Sequence, residues 1–355
     1  MKTVKEKIVL ICPQKKEITE RFCEIINRIE SVYIVEFFEA FQEPHHFQNC
    51  KILFALHIDE TGIHLPYYAI LQKIRKGELT FFGCVGGVLL DGAGALYTKS
   101  LARELIFAMN EKGCLFVGRG LVEATGDLQN FSVKSKNENC TPLEAYHRGT
   151  MELLKRMVDY KPVPRKKRLL VLHASHGDVS NTLSLWEMVK QHIADCDVQE
   201  ITLRNGTVDD CGACPYELCM HFSKKSQCYY GGVIVKDVYP AILACDALVI
   251  LAPNYNDAMS ANLTAFVNRL TALFRRMYFY EKGLFSLVVS GYSGGEIVAE
   301  QILGSLGINK TFLLPPQFSM VETANLPGSI FEVPEIELRA AQFAKSIETF
   351  LGGVV

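Results

Sequence analysis

The sequence predicts an α/β protein built as two doubly wound parallel-sheet units in tandem. Three observations predict it. Short apolar runs alternate with segments of helical periodicity along the chain. A stretch rich in proline and basic residues, "DYKPVPRKKR" (159–168), interrupts that alternation near the middle. Directly after it, "LLVLHAS" begins like a new first strand. The expected organisation is therefore a first α/β domain over 1–160, a linker over 161–168 and a second α/β domain over 169–355.

In the first half the predicted strands are "KIVLIC", "VYIVEFF", "KILFALHI", "VGGVLLD" and "CLFVGRG", with helices over 17–29, 66–76 and 96–112. The link between the second and third strands has too little helical pattern to assign. In the second half "RLLVLHA" is continuously apolar, as a parallel strand covered on both faces should be. Leu185, Val189 and Ile193 then recur at helical spacing, "VQEITL" is the next strand, and a helix around "VKDVYPAILAC" leads into the strand "ALVILAP". An amphipathic helix follows, with Leu263, Phe266, Val267 and Leu270 on one face. "LFSLVVSG" is a fourth strand, "EIVAEQILGSLG" a helix, "KTFLLPP" a fifth strand and "IELRAAQFAKSIETFL" a closing helix.

Composition narrows the function. The 355 residues carry a net charge of −2, so there is no basic footprint for nucleic acid or an anionic membrane. No apolar segment reaches the roughly 18 residues of a membrane span. The start, "MKTVKEKIVLICPQKKE", has too short an apolar core for a signal peptide and reads as a buried first strand. Eight of the twelve cysteines are scattered, and Cys12, Cys84 and Cys245 sit in apolar runs where a thiol behaves as a small hydrophobe. A cytoplasmic location is expected.

In an open parallel sheet, ligands lie outside the carboxyl ends of the strands, where the strand order switches. Three loops of the second half qualify. "HASHGDVSNT" (173–182) offers Ser175, His176, Ser180, Asn181 and Thr182 and runs straight into a helix, whose free N–H groups favour a phosphate; Ser180 or Asn181 would equally serve as a helix cap. "APNYNDAMSAN" (252–262) offers Pro253, Asn254, Tyr255, Asn256, Met259 and Ser260, which could stack and hydrogen-bond a flat heterocycle or form a simple Asn/Asp turn. "SGYSGGE" (290–296) offers Ser290, Gly291, Tyr292, Gly294 and Gly295, where the backbone can approach a ligand closely.

With these loops in this order, residues 168–320 or so resemble the flavodoxin-like NAD(P)H-dependent FMN reductase family, including its iron–sulfur flavoprotein branch. In that family a loop ending in an Asn-Thr-like element holds the FMN phosphate, as "SHGDVSNT" would. A Pro-x-Tyr loop with a small-residue helix start meets the isoalloxazine, as "PNYNDAMSANLTAFVNR" would, and a Gly-rich loop flanks the ring, as "SGYSGGE" would. One departure is that the family usually opens its phosphate loop with Gly-Ser, whereas His173, Ala174 and Ser175 stand here. The resemblance implies two tandem flavodoxin-like units, the second carrying the flavin. It also implies hydride transfer from NADPH or NADH through bound FMN to an electron acceptor, with no catalytic side chain required. Members commonly cover the exposed flavin with a neighbouring subunit, so a homo-oligomer is expected; the first domain, expected to be a degenerate flavodoxin-like partner, could instead supply that cover within one chain.

"CGACPYELCMHFSKKSQC" places Cys211, Cys214, Cys219 and Cys228 in one loop after the second strand of that half. Four thiolates suit a [4Fe–4S] cluster or a zinc ion. The iron–sulfur branch carries a compact four-cysteine motif in this region, but the later gaps here are longer, and other members keep cysteines without metal. All three states remain open at this level. In the first half, Asp91, Tyr97 and Lys99 are the residues a second ligand site would use, with a solvated helix start as the simpler reading; the lone "GAG" at 92–94 reads as a turn. The leading function is an FMN-dependent NAD(P)H oxidoreductase serving a quinone, nitro or azo compound, flavin or iron–sulfur partner. The alternatives are an FMN and cluster electron carrier with little NAD(P)H activity, and a flavin-free zinc scaffold.

Overall fold

A computed structural model describes residues 5–13, 19–175, 180–204 and 208–353. The chain divides into two compact units, Met1–Lys161 and Pro162–Val355.

The first unit contains β1 (Lys7–Ile11), α1 (Glu20–Val32), β2 (Ile34–Phe38), β3 (His45–Gln48), β4 (Lys51–Ile58), α2 (Leu65–Arg75), β5 (Leu79–Phe82), β6 (Val85–Gly92), α3 (Thr98–Glu111), β7 (Leu115–Ala124), α4 (Ser132–Glu138) and α5 (Pro142–Asp159). Its main sheet runs β2-β1-β4-β6-β7, all parallel. The five strands read from the sequence are the five strands of this sheet. The stretch left unassigned holds β3, which pairs with β5 in a separate two-stranded parallel sheet. Helix α5 was not assigned from the sequence, although Ala145, Tyr146, Leu153, Leu154 and Met157 recur at helical spacing and Thr141 and Glu144 form a reciprocal capping box at its start.

At the carboxyl end of this sheet Asp91 is fully buried and its carboxylate accepts three hydrogen bonds. Arg21 at the start of α1 donates through Nε (2.9 Å) and Nη2 (2.7 Å), and His57 of β4 lies at 3.1 Å through Nδ1. The third arm of Arg21 reaches the Gly126 carbonyl at 2.8 Å. Asp91 is thus the counter-ion that pins α1 to the sheet. Tyr97 takes a left-handed conformation (φ 73°) at the start of α3, and Lys99 pairs with Glu123 at 3.3 Å.

The second unit contains β8 (Arg168–His173), α6 (Asn181–Gln191), β9 (Asp197–Thr202), α7 (Tyr216–Ser223), α8 (Tyr239–Ala244), β10 (Ala247–Pro253), α9 (Ala261–Arg269), α10 (Thr271–Phe274), β11 (Gly283–Ser290), α11 (Gly295–Ile302), β12 (Ser319–Thr323) and α12 (Ile336–Gly352). Its sheet runs β9-β8-β10-β11-β12, all parallel, which is the strand order of the first unit repeated. Both are doubly wound, flavodoxin-like sheets whose order reverses beside the first strand. Strands β10 and β11 are buried almost end to end, and Trp186 of α6 is fully buried.

One element differs from the sequence reading. "KTFLLPP" is not the fifth strand: it contributes only an isolated bridge between Gly283 and Leu313, and the edge of the sheet is β12. Pro315 and Pro316 have no N–H for a ladder, so the chain leaves the sheet there and returns at Ser319. The segment before β8 is fastened to α12: the Arg165 guanidinium stacks 3.7 Å from the Phe350 ring centre and donates to the Phe350 carbonyl at 2.7 Å.

Candidate active site at the carboxyl edge of the second sheet

Strands β8, β10 and β11 are neighbours, and the loops that follow them all leave from the same edge. The strand order reverses at β8, so the crevice belongs between the loops after β8 and β10.

On the β8 side, Ser175 is buried and its hydroxyl has no hydrogen-bond partner among the described residues. Ser180 caps α6, accepting from the Leu183 N–H at 3.3 Å. Asn181 does not face an open cradle with its side chain. Its Nδ2 donates to the carbonyls of Ala324 (3.0 Å) and Leu326 (2.8 Å), and its Oδ1 accepts from the Gly328 N–H (2.9 Å). What Asn181 and Thr182 present to a ligand is the first-turn backbone of α6, where N–H groups have no partner in the helix. His176 lies outside the described residues.

After β10 the turn is made by Asn256 and Asp257, both left-handed (φ 53° and 55°), closed between Tyr255 and Ala258. Pro253 is the last strand residue and does not set the turn. Successive left-handed residues are the signature of a type I′ turn, and Asn and Asp tolerate it best. The turn leaves the Tyr255 ring 57% exposed at the edge.

Asn254 is the hub of this edge. Its Nδ2 donates to Ser290 Oγ (2.7 Å), the Ser293 carbonyl (3.2 Å) and Asp257 Oδ1 (3.2 Å), while its Oδ1 accepts from the Asp257 N–H (2.8 Å). It therefore locks the β10 loop to the β11 loop. Gln301 of α11 adds a second clamp, accepting from the Met259 N–H (3.1 Å) and donating to the Asp257 carbonyl (2.8 Å). No sequence signal marked Gln301. Ser260 opens α9 with a buried hydroxyl that has no partner.

The β11 loop turns on Gly294 at φ 86°, and a side-chain carbon there would stand 2.1 Å from Asp257 Oδ1. Gly295 begins α11 against Val321. Gly291 faces Asn325, whose amide donates to the Tyr292 hydroxyl at 2.8 Å, and the Tyr292 side chain is largely exposed. Ser290 is buried and donates to the Ser293 carbonyl.

These donors suit a phosphorylated heterocycle. The unsatisfied Ser175 hydroxyl beside the start of α6 fits an anionic oxygen, and the pre-locked β10 and β11 loops present backbone and Tyr255 to a flat ring.

At the end of β8, burial holds the His173 imidazole below its ordinary pKa. The unfolded chain binds that proton first, so stability falls as pH drops through about 6.5 and levels off below the folded value. His173→Leu should therefore shrink the loss of urea stability between pH 7.5 and 5, read by Trp186 fluorescence. An unchanged difference would show that other groups carry it.

The loop after β9 carries the four cysteines. Cys211, Cys214, Cys219 and Cys228 all line one cavity of about 90 Å³, with Phe222, Tyr230 and Arg269 among its other walls. Arg269 is almost fully buried; it donates to the Asp209 and Gly231 carbonyls and so ties together the two ends of the cysteine loop. Its role had no signal in the sequence. Among the described residues no three His, Cys, Asp or Glu side chains converge as ligands of one ion, and all four thiols are free.

No curated protein matches the chain in sequence. Among solved structures, the chain is similar to an NAD(P)H:quinone oxidoreductase from Methanothermobacter marburgensis (15% identity, 51% of this chain and 96% of that one, TM-score 0.38). It is likewise similar to the Trp repressor binding protein from Bacillus subtilis (16%, 49% and 96%, 0.34) and to an azoreductase from Bacillus anthracis (13%, 52% and 99%, 0.35). Residues 167–325, most of the second unit, match the family described as NADPH-dependent FMN reductase.

Proposed function

We propose that the protein is an NAD(P)H-dependent flavin oxidoreductase whose second unit holds FMN at the carboxyl edge of its sheet. The observation that carries this reading is the family match over residues 167–325, which spans all three loops of the crevice. Bound there, the flavin supplies the two-electron chemistry between NAD(P)H and an acceptor.

The chain's own residues bind and orient. The Ser175 hydroxyl and the first-turn N–H groups of α6 would hold the phosphate. Tyr255 would offer its exposed ring to the flavin, and Asn254 keeps the β10 loop locked to the β11 loop. Ser260 and the backbone near Gly294 close the other side. Among the described residues no helix is long and apolar enough to cross a membrane. The exposed Tyr255 and Tyr292 leave one side of the crevice for the nicotinamide and then for a quinone, nitro, azo, flavin or iron–sulfur acceptor, with a second copy of the chain as its cover.

The shared cavity of Cys211, Cys214, Cys219 and Cys228 supports a common role for the four thiols, a [4Fe–4S] cluster or zinc being the metals four thiolates suit. A single ion needs four sulfurs within about 2.3 Å of one point, whereas a cluster is held by thiolates spread around a larger body.

The test is the spectrum of purified protein reconstituted with FMN. A flavin band should remain after gel filtration and bleach on adding NADPH under argon. Asn254→Ala should weaken FMN retention roughly tenfold, the effect of losing about 1.4 kcal/mol of binding. Bleaching by dithionite alone would favour the electron carrier, and a colourless protein that never retains FMN would end the reading.

A further inference from the structure

The first unit carries a thiol arrangement outside the flavin chemistry. Cys50, Cys84 and Cys114 each stand immediately before a strand, β4, β6 and β7 respectively. Those strands are neighbours, so the three cysteines lie side by side along the amino edge of the sheet. The Val85 N–H donates to the Cys50 carbonyl (2.9 Å), and the Leu115 N–H to the Cys84 carbonyl (3.0 Å). The sulfurs of Cys50 and Cys84 are 3.4 Å apart. Neighbouring strands lie about 4.8 Å apart, within the Cα separation a disulfide accepts, so closing to the bonded distance of about 2.05 Å asks only for side-chain movement.

The two thiols differ in access. Cys84 is fully buried, whereas Cys50 is partly exposed and lines a cavity of about 460 Å³ beside β3. That volume is in the range of small-molecule sites. Its walls include Lys51 and Glu6, and Lys7 paired with Glu36 at 2.8 Å, so charges of both signs line it, as a zwitterionic guest requires.

We propose that Cys50 and Cys84 form a reversible dithiol–disulfide pair that exchanges with zwitterionic low-molecular-weight disulfides entering this cavity. The Cys50 sulfur attacks one sulfur of the small disulfide; that S–S bond breaks and the first thiolate leaves. Cys84 then attacks Cys50 in the mixed disulfide, expelling the second thiolate and forming the internal bond. The protein dithiol loses two electrons and two protons; the small disulfide gains both and departs as two thiols.

The hydrogen bond from the Cys50 thiol, aided by the Lys51 ammonium, draws Cys84 below its ordinary pKa, while that bond and burial push Cys50 up. Cys84 is thus the first of the two to lose its proton, and attack by Cys50 needs the shared hydrogen to move across to Cys84. Cys114 is fully buried and burial raises its pKa well above the usual thiol range, which leaves it inert.

The experiment treats the full chain with oxidised glutathione, alkylates remaining thiols and maps tryptic peptides. Peptides 29–51 and 77–99 should be recovered cross-linked, separated again by dithiothreitol. The cross-link should persist in Cys114→Ser and vanish in Cys50→Ser. In Cys84→Ser, Cys50 should stop at the glutathione mixed disulfide, a result that also certifies a folded, accessible cavity. Recovery of both cysteines alkylated in the wild-type chain, or a cross-link to Cys114 instead, overturns the proposal. No flavin enters this assay, so its outcome is independent of the oxidoreductase reading.

Discussion

Replacing Asp91 by alanine should destabilise the first unit by about 3–5 kcal/mol, the cost of breaking a buried ion pair by removing one partner. The carboxylate has no exposed surface and takes two N–H groups of Arg21 with His57 as a third neighbour. Its loss frees α1 from the sheet edge and leaves a partly buried guanidinium holding only the Gly126 carbonyl. The Arg21 side chain retains 22% exposure and can turn partly to water, so the lower end of the range applies. The double change Asp91→Leu with Arg21→Met should recover much of the loss, because it removes the orphaned charge as well. Urea unfolding followed by far-UV circular dichroism measures this, with hydrogen exchange of peptides from β6 and α1. The single tryptophan, Trp186, belongs to the second unit and is the wrong probe. A change under about 1 kcal/mol would mean that water satisfies what Asp91 now satisfies.

Gly294→Val should abolish FMN retention at micromolar concentrations while Gly328→Ala leaves it nearly intact. Both glycines are left-handed, at φ 86° and 81°, so both substitutions pay a backbone strain of about 1–2 kcal/mol. They differ in what a side chain would meet. Nothing lies near Gly328, whereas at Gly294 the added carbon runs into the Asp257 carboxylate and the Asn254 amide. Those two groups hold the β10 turn against the β11 loop, so displacing them opens the crevice. Two to three kcal/mol of lost preorganisation corresponds to about a 30- to 150-fold weaker complex. Fluorescence titration of FMN against each variant checks it; equal affinities in the two variants would remove the β11 loop from the site.

The sheets were legible in the sequence because parallel strands covered on both faces must be apolar throughout. "ALVILAP" and "LFSLVVSG" could hardly be anything else. Strand β12, "SMVET", was missed for the converse reason: as an edge strand it is short and half polar, and the more apolar "FLL" nearby drew the assignment although two prolines follow it. The loops of the crevice were legible as small, Gly-rich or Asn-rich links after strands. The work their side chains do was not. Asn181 sits where a phosphate ligand is expected, yet its amide is engaged with residues 324–328, a pairing no local pattern encodes. The Arg21–Asp91 pair and the Cys50–Cys84 contact are likewise products of strand order, which joins residues 70 and 34 positions apart.

The anchoring of Asn181 has a bearing on how the protein matures. The residue that begins α6 is held by carbonyls 143 and 145 positions further along, beyond the last strand of its sheet. Contacts of such long sequence separation form late, after the entropy of closing the intervening loop has been met. A nascent chain that has emerged only as far as β11 has no finished seat for an anion at α6. If FMN binds there as proposed, its capture should follow completion of the second unit.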